Sequence, residues 1–216
     1  CYAQRLSQII HFVGKKALNI DGFGEKQVKQ FFDLKFIKKI EDIFYLSNFK
    51  EKIIDLEGWG ELSFTNLINS IEKSKQITLD KFIFSLGIRF IGEVNSEILA
   101  NEFKSLNNVI ISVKDRNNLN NIDGLGPKAI ESLIDYFSNT SNLNSIENLK
   151  KIITINYITD KNINNFFSNK NLVFTGTLSE LSRDEAKYLA KSKGAKILSS
   201  VTNKTDYVIA GNKSGS

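Results

Sequence analysis

The sequence predicts a mostly α fold, built from a repeated unit of helix, glycine hairpin and helix, followed by a small and truncated α/β domain. Two observations predict the repeat. Four short hairpins that contain glycine recur within residues 1–150, and an apolar stripe with helical spacing follows each of them. The last domain is predicted because the pattern changes near residue 170 to strand, helix and strand with short connections.

The hairpins, which we number 1 to 4, occupy residues 20–24, 56–60, 86–92 and 122–126. Their last glycines are separated by steps of 36, 32 and 34 residues, and a nearly constant step is typical of a repeated supersecondary unit. After each hairpin, apolar residues recur with the spacing of one helix face, as in Phe64, Leu67, Ile68 and Ile71 after hairpin 2.

Residues 151–165 are predicted to be a linker that includes one short strand or edge segment. Polar, Asn-rich stretches flank this region, and an apolar run lies at 152–155. The linker separates the predicted repeat from the last domain, which begins at residue 166.

The last domain is predicted to contain a parallel sheet. Residues 172–176 have the composition of a buried strand, and Ser182 with Glu185 forms a capping box that begins a helix. Gly194 ends that helix, and further strands are expected at 195–198 and 207–210. A helix that connects two neighbouring strands implies that the strands run parallel.

Composition narrows the class of protein. The chain has 216 residues, 41% hydrophobic and 25% charged, and no apolar run approaches the roughly 20 residues needed to span a bilayer. A single cysteine excludes an internal disulfide. Residues 1–150 carry 19 basic and 19 acidic side chains, whereas residues 151–216 carry 10 and 5. Because methionine is absent and the chain starts at Cys1, we expect an internal piece of a longer protein.

A glycine hairpin that opens a helix is suited to binding phosphate. Glycine adopts positive φ and lets a ligand approach the backbone, and the helix start supplies unpaired N–H groups and a positive dipole end. Such a site needs little net charge and reads no bases, so it predicts binding to duplex DNA that is independent of sequence. The predicted contact residues are Gly22, Gly24, Lys26, Gly58, Gly60, Gly87, Arg89, Gly92, Gly124, Gly126 and Lys128.

Other interpretations of single residues stay open at this level. A lone hairpin is often only a tight turn, and four copies at a steady step argue against that reading. Trp59 is interpreted as an apolar plug of hairpin 2 in preference to a base-stacking platform, and His11 lacks the partners of a catalytic base. The glycine hairpins follow helices, so a dinucleotide-binding loop is disfavoured, and no Walker-type loop is present.

A second phosphate candidate lies in the last domain. Thr175 and Gly176 end a strand shortly before a helix, and Arg183 stands in the first turn of that helix. A hydroxyl, a backbone N–H and a guanidinium in this arrangement are suited to a phosphate, although a plain strand-end turn explains the same residues equally well.

These motifs together resemble the C-terminal part of NAD-dependent DNA ligases over nearly the whole chain. The resemblance rests on residues 1–4, 11–13, 20–26, 85–92, 174–178, 182–186 and 200–211. It implies the end of a zinc finger at 1–5, four helix-hairpin-helix motifs at 6–150, a linker at 151–165 and a partial BRCT domain at 166–216. It also implies a cytoplasmic protein with no membrane segment.

The resemblance further implies a parent enzyme that seals nicks, joining a 5′-phosphate to a 3′-hydroxyl in duplex DNA with NAD and Mg²⁺. Cys1 would be one of four Zn²⁺ ligands, the others lying outside this sequence. No catalytic residue is expected here, because Asn19 stands where an adenylated lysine would precede Asp21 and Gly22. The expected role is therefore to hold nicked DNA, with no cofactor bound to this piece.

An alternative is a scaffold module in which the hairpins are structural and the BRCT part binds a phosphorylated or protein partner. One departure from the ligase pattern concerns hairpin 2, where Glu61 replaces the basic residue usual in the family.

Overall fold

A computed structural model describes residues 2–114, 116–157, 167, 169–179 and 181–212, and the chain divides into two compact units, 1–158 and 159–216. The predicted fold class is confirmed, because the first unit is mainly helical and the second contains a small parallel sheet with a helix. The division falls inside the predicted linker 151–165, of which residues 158–165 lie outside the described part.

Each hairpin of the first unit lies between two helices. The helices are α1 (Tyr2–Val13), α2 (Glu25–Asp33), α3 (Lys50–Ile54), α4 (Glu61–Ser74), α5 (Leu79–Ser85), α6 (Glu93–Phe103), α7 (Leu106–Ser112), α8 (Arg116–Asn120), α9 (Pro127–Ser138) and α10 (Thr140–Lys150), with a 3₁₀ helix over Ile40–Phe49. Hairpins 1 to 4 thus join α1 to α2, α3 to α4, α5 to α6 and α8 to α9, as the periodicity predicts.

A continuous apolar core holds the hairpins in place. The next-to-last residue of each hairpin turns inward, so Phe23, Ile91 and Leu125 are buried and Trp59 is partly buried. Trp59 packs its ring 4.9 Å from that of Phe31 and donates its indole N–H to Gln30 Oε1 at 3.0 Å. Trp59 is therefore a plug between hairpin 2 and α2, as interpreted from the sequence.

Part of the predicted linker belongs to the first unit. Strand β2 (Thr154–Asn156) pairs in parallel with β1 (Gln76–Thr78), and Ile153 and Ile155 are buried. The sequence indicated only a short strand or edge segment here, because the partner strand lies far away along the chain.

The second unit contains β3 (Asn171–Thr175), α11 (Arg183–Ser192), β4 (Lys196–Ile197) and β5 (Tyr207–Ala210). Strand β3 lies between β4 and β5 and runs parallel to both, as predicted. The predicted capping box is present, since Ser182 Oγ accepts the N–H of Glu185 at 3.2 Å and Glu185 Oε2 accepts the N–H of Ser182 at 2.8 Å. Hydrogen bonds to the Glu185 carboxylate from the side chain of Ser182, and then from its backbone N–H, lower the pKa of this carboxyl.

Candidate nucleic-acid interface

The four hairpins share one backbone turn. The turn consists of four residues that begin at Ile20, Leu56, Ile88 and Ile122, and the N–H of the fourth donates to the carbonyl of the first. These hydrogen bonds join Phe23 to Ile20, Trp59 to Leu56, Ile91 to Ile88 and Leu125 to Ile122, at 3.0–3.2 Å. The third residue has positive φ in every case: +76° at Gly22, +82° at Gly58, +62° at Phe90 and +84° at Gly124. A type II turn requires positive φ at this position, which is why three of the four residues are glycine.

Hairpin 3 departs from the sequence interpretation. Gly87, predicted as an equivalent of the other hairpin glycines, instead ends α5, and its N–H donates to Phe84 O at 3.1 Å. A Cβ at Gly87 would lie 3.3 Å from the His11 ring, so tight packing against His11 favours glycine at this position. The residue that occupies the turn position is Phe90. The spacing of five residues between Gly87 and Gly92, against two elsewhere, concealed this register.

The last glycine of each hairpin is the N-cap of the following helix. Gly24, Gly92 and Gly126 have φ near −80°, and Gly60 is fully extended. A Cβ at Gly60, Gly92 or Gly126 would meet no atom within 4 Å, and one at Gly24 would meet only the end of Gln27 at 3.4 Å. Neither conformation nor packing within the chain requires glycine at these four positions.

These N-caps leave helix amides available. Each N-cap carbonyl accepts the first helical hydrogen bond, from Val28, Phe64, Ser96 and Ile130 in turn, so the amides before these residues have no acceptor one turn back. In α2, α6 and α9 the N-cap supplies no side-chain hydrogen bond. In α9, Pro127 has no N–H and Ala129 donates to Gly126 O, which leaves the Lys128 amide.

Hairpin 2 is capped internally and differs from the others. Ser63 Oγ accepts the N–H of Gly60 at 2.9 Å and donates to its carbonyl at 3.0 Å. Glu61 follows at the first helical position, where its carboxylate lies 3.0 Å from Lys50 Nζ. A protein hydroxyl therefore occupies the N–H of the N-cap itself, which at Gly24, Gly92 and Gly126 donates to no acceptor among the described residues.

Two predicted cations lie at helix starts. Lys26 and Lys128 occupy the second position of α2 and α9 and are exposed. The same position is apolar in the other two hairpins, where Leu62 is 76% exposed and Val94 is 69% exposed. The guanidinium carbon of Arg89, inside hairpin 3, lies 5.0 Å from the centre of the Phe90 ring.

Side-chain contacts connect the hairpins in the order 2, 1, 3 and 4. Ser70 Oγ of α4 accepts the N–H of Asp21 in hairpin 1 at 2.6 Å. An ion pair between Lys16 and Glu93 joins the loop before hairpin 1 to the helix after hairpin 3. Hairpins 3 and 4 meet where Lys128 lies over the Phe90 ring. The turns therefore belong to one connected surface of the first unit.

In the second unit the structure brings together Gly176 and Arg183. The guanidinium of Arg183 donates to Gly176 O at 2.8 Å, and Thr175 O accepts the N–H of Gly211 at 2.9 Å. Gly176 has φ +73°, and a Cβ there would lie 2.8 Å from Gly211 O, so glycine is required by the fold. Arg183 is exposed and keeps further N–H donors.

Cys1, the predicted zinc ligand, lies outside the described residues. Among the residues that are described, no three or more His, Cys, Asp or Glu side chains gather in a way that could hold a metal ion. Within the same residues, no helix has the length and hydropathy needed to cross a membrane.

Two residues of this surface were missed from the sequence. Phe90 would have been found by aligning the hairpins on their last glycines, because Phe90-Ile91-Gly92 then matches Gly22-Phe23-Gly24. The capping role of Ser63 has a weaker signal, since serine at the third helical position has several uses.

Comparison with known proteins agrees with this arrangement. The profile of the helix-hairpin-helix motif matches residues 81–146, which include hairpins 3 and 4, and that of the BRCA1 C Terminus (BRCT) domain matches residues 162–216. The DNA ligase of Wolbachia pipientis wMel is 45% identical over 222 residues, covering 100% of this chain. The resemblance to DNA ligases is confirmed.

Further DNA ligases agree with this relationship. The ligase of Pelagibacter ubique is 43% identical over 99% of the chain, and that of Rickettsia bellii is 41% identical over 100%. The chain spans about one third of the length of these ligases, at 34% of the Wolbachia protein and 32% of the Pelagibacter protein. The DNA ligase relationship therefore applies to both units of the chain.

Proposed function

We propose that the first unit binds duplex DNA through its sugar-phosphate backbone, and that it does so as part of an NAD-dependent ligase that seals nicks. The observation that carries this proposal is the set of exposed glycine N-caps at Gly24, Gly92 and Gly126. Their conformations do not need glycine, yet a side chain there would stand between the helix amides and an approaching phosphate.

The helix starts supply the binding chemistry. The N–H groups of Gly24 and Gly92, with those that follow them, bind phosphate oxygens, and Lys26, Arg89 and Lys128 add charge at the same surface. Hairpin 2 contributes least, because the N–H of Gly60 already donates to Ser63 Oγ. Such contacts fix the position of a duplex without reading its bases, which suits an enzyme that must act at any sequence.

In the parent ligase these contacts with the sugar-phosphate backbone would keep the 5′-phosphate and the 3′-hydroxyl of a nick aligned for joining. The transfer of AMP from NAD requires an amine, and where the ligase resemblance places that amine this chain has the amide of Asn19, which cannot serve. We assign no step that involves NAD, Mg²⁺ or Zn²⁺ to the residues described. We also propose that the protein is located at DNA in the cytoplasm.

For the second unit we propose an auxiliary contact with DNA or with an acidic protein partner. The exposed Arg183 beside the end of β3 supports this, together with the excess of basic residues in 151–216. The Arg183→Ala variant should then weaken the binding of nicked duplex, or of a captured partner, without affecting the first unit.

The test is a titration of a fluorescent nicked duplex with the full chain at several salt concentrations. We expect an affinity that falls with salt, independent of base sequence. The Gly92→Ala/Gly126→Ala variant should bind at least roughly tenfold more weakly, since two phosphate sites lose charge-assisted hydrogen bonds.

Gly60→Ala is the matched control, because its backbone is equally open to a methyl group but the N–H of this N-cap already donates to Ser63 Oγ. It should lose much less affinity than the double variant. Salt-independent binding, or equal losses in Gly60→Ala and the double variant, would contradict the proposed function.

A further inference from the structure

We propose that Phe90 contacts the DNA groove between the strands held by hairpins 3 and 4, and that it favours nicked over intact duplex. This inference rests on the proposed function of the first unit. Its starting point is the turn position of hairpin 3, where phenylalanine stands at φ +62° and the other three hairpins have glycine.

The backbone conformation of Phe90 is energetically unfavourable for a bulky residue. Positive φ places Cβ against the backbone, and in a bulky residue it marks strain that the surroundings must sustain. Asn95 contributes to this, because its side-chain amide donates to Phe90 O at 2.8 Å. Packing does not explain the ring, since Phe90 is 49% exposed while Ile91 beside it fills the core.

The surroundings of the ring are cationic. The guanidinium carbon of Arg89 lies 5.0 Å from the ring centre. Lys128, at the start of the helix after hairpin 4, has its Nζ 5.9 Å from the same point. Both distances permit cation–π attraction, which holds the two charges beside an apolar surface. An exposed ring close to two cations, one in hairpin 3 and one at the start of the helix after hairpin 4, matches a duplex, whose phosphate rows border a groove lined by sugars and base edges.

If Arg89 and Lys128 each engage a phosphate row, the ring that both cations contact faces the groove. Apolar side chains that enter the minor groove partially unstack a base step, and the energy needed depends on how easily that step opens. A nick interrupts one backbone and leaves the step across it easier to open. The ring would therefore gain more from a nicked duplex than from an intact one.

The experiment compares the full chain with Phe90→Gly on nicked and intact duplexes of one sequence. The other three hairpins have glycine at this turn position, so Phe90→Gly should fold without loss of thermal stability. We expect its affinity for nicked duplex to fall roughly tenfold, as for the loss of one aromatic contact to a base, with a much smaller fall for intact duplex. A 2-aminopurine base beside the nick should brighten on binding the unsubstituted chain but not Phe90→Gly.

The Ile111→Ala variant serves as the control, because it removes an exposed apolar side chain from α7, outside the hairpins, and should change neither affinity. Equal effects of Phe90→Gly on both duplexes, or no effect on either, would overturn the inference. If Gly92→Ala/Gly126→Ala still loses binding in that case, the proposed function survives. If the unsubstituted chain binds no duplex, both the proposed function and this inference are wrong.

Discussion

Lys16 Nζ lies 2.6 Å from Glu93 Oε1, which links residues 77 positions apart. The hydrogen bond and the charge of Glu93 raise the pKa of Lys16. Glu93 is the first residue of α6, so under the proposed function its carboxylate lies near the phosphate site of hairpin 3. Lys16 forms an ion pair with that carboxylate, so each charge is partly offset by the other.

The Glu93→Gln variant should bind DNA more tightly. It removes a negative charge from the start of α6 and frees Lys16 for a phosphate, so we expect roughly a threefold gain in affinity and a steeper dependence on salt. Both side chains are exposed, so thermal stability should change little. The measurement is fluorescence anisotropy at two salt concentrations, and an unchanged or weaker affinity would show that Glu93 does not face DNA.

Val94→Lys tests the role of the second helical position. This position carries lysine in hairpins 1 and 4 but an exposed valine in hairpin 3. The new lysine should add one phosphate contact and steepen the slope of log affinity against log salt by about one. Leu62→Lys is the matched variant at hairpin 2, where the Ser63 cap should leave a smaller gain. Equal gains in the two variants would contradict the distinction between these hairpins.

The turn glycines should matter for folding in a way that the N-cap glycines do not. Gly22 has φ +76° and open space around it, so Gly22→Ala isolates the backbone cost of a left-handed alanine, about 1–2 kcal/mol. Gly24→Ala, at φ −77°, should leave the free energy of unfolding nearly unchanged. Denaturant unfolding of both variants checks this, and comparable losses would mean that φ is not the deciding difference.

The cap of α11 should make the second unit sensitive to acid. Ser182→Ala removes the N-cap hydroxyl and should destabilise the helix by about 1 kcal/mol, measured by hydrogen exchange of the α11 amides. The lowered pKa of Glu185 means that its contribution is present above the ordinary value of 4.5 and is lost as pH falls through the lowered one. Glu185→Gln should remove that pH dependence, and an unchanged acid profile would exclude Glu185 as its source.

Tyr136 should make the first unit less stable in alkali. Burial, with a smaller contribution from the charge of Glu41, raises the pKa of Tyr136 to about 12. The unfolded chain ionises this phenol near its ordinary value of 10.0, so stability should fall as pH rises from there towards 12. Tyr136→Phe should flatten this part of the profile in denaturant titrations. An identical slope in the variant would rule out the phenol as the titrating group.

Local signals in the sequence are sufficient for much of this fold. The helix after each hairpin follows from apolar spacing, and the Ser182 and Glu185 cap follows from residues only three positions apart. Features that depend on distant partners could not be predicted in the same way. The pairing of Thr154 with Gln76 is one case, because a three-residue strand has no periodic signal of its own.

The same difference between local signals and distant partners applies to the candidate site. The exposed N-cap glycines follow from a repeated local pattern, and their positions were predicted. Phe90 was missed because glycine was taken as the marker of the turn, and Gly87 supplied a nearby but wrong match. The contact of Phe90 with Lys128 depends on how two hairpins pack, which no single motif encodes.

The parallel pairing of β1 with β2 has a consequence for how the first unit is made. Ile77 pairs with Ile155, so a segment near the middle of the unit receives its neighbour only at its end. During synthesis, hairpins 1 to 3 leave the ribosome before β2 exists. A released chain that ends at residue 150 should therefore remain open to proteases near β1, and one that extends past residue 156 should be protected there.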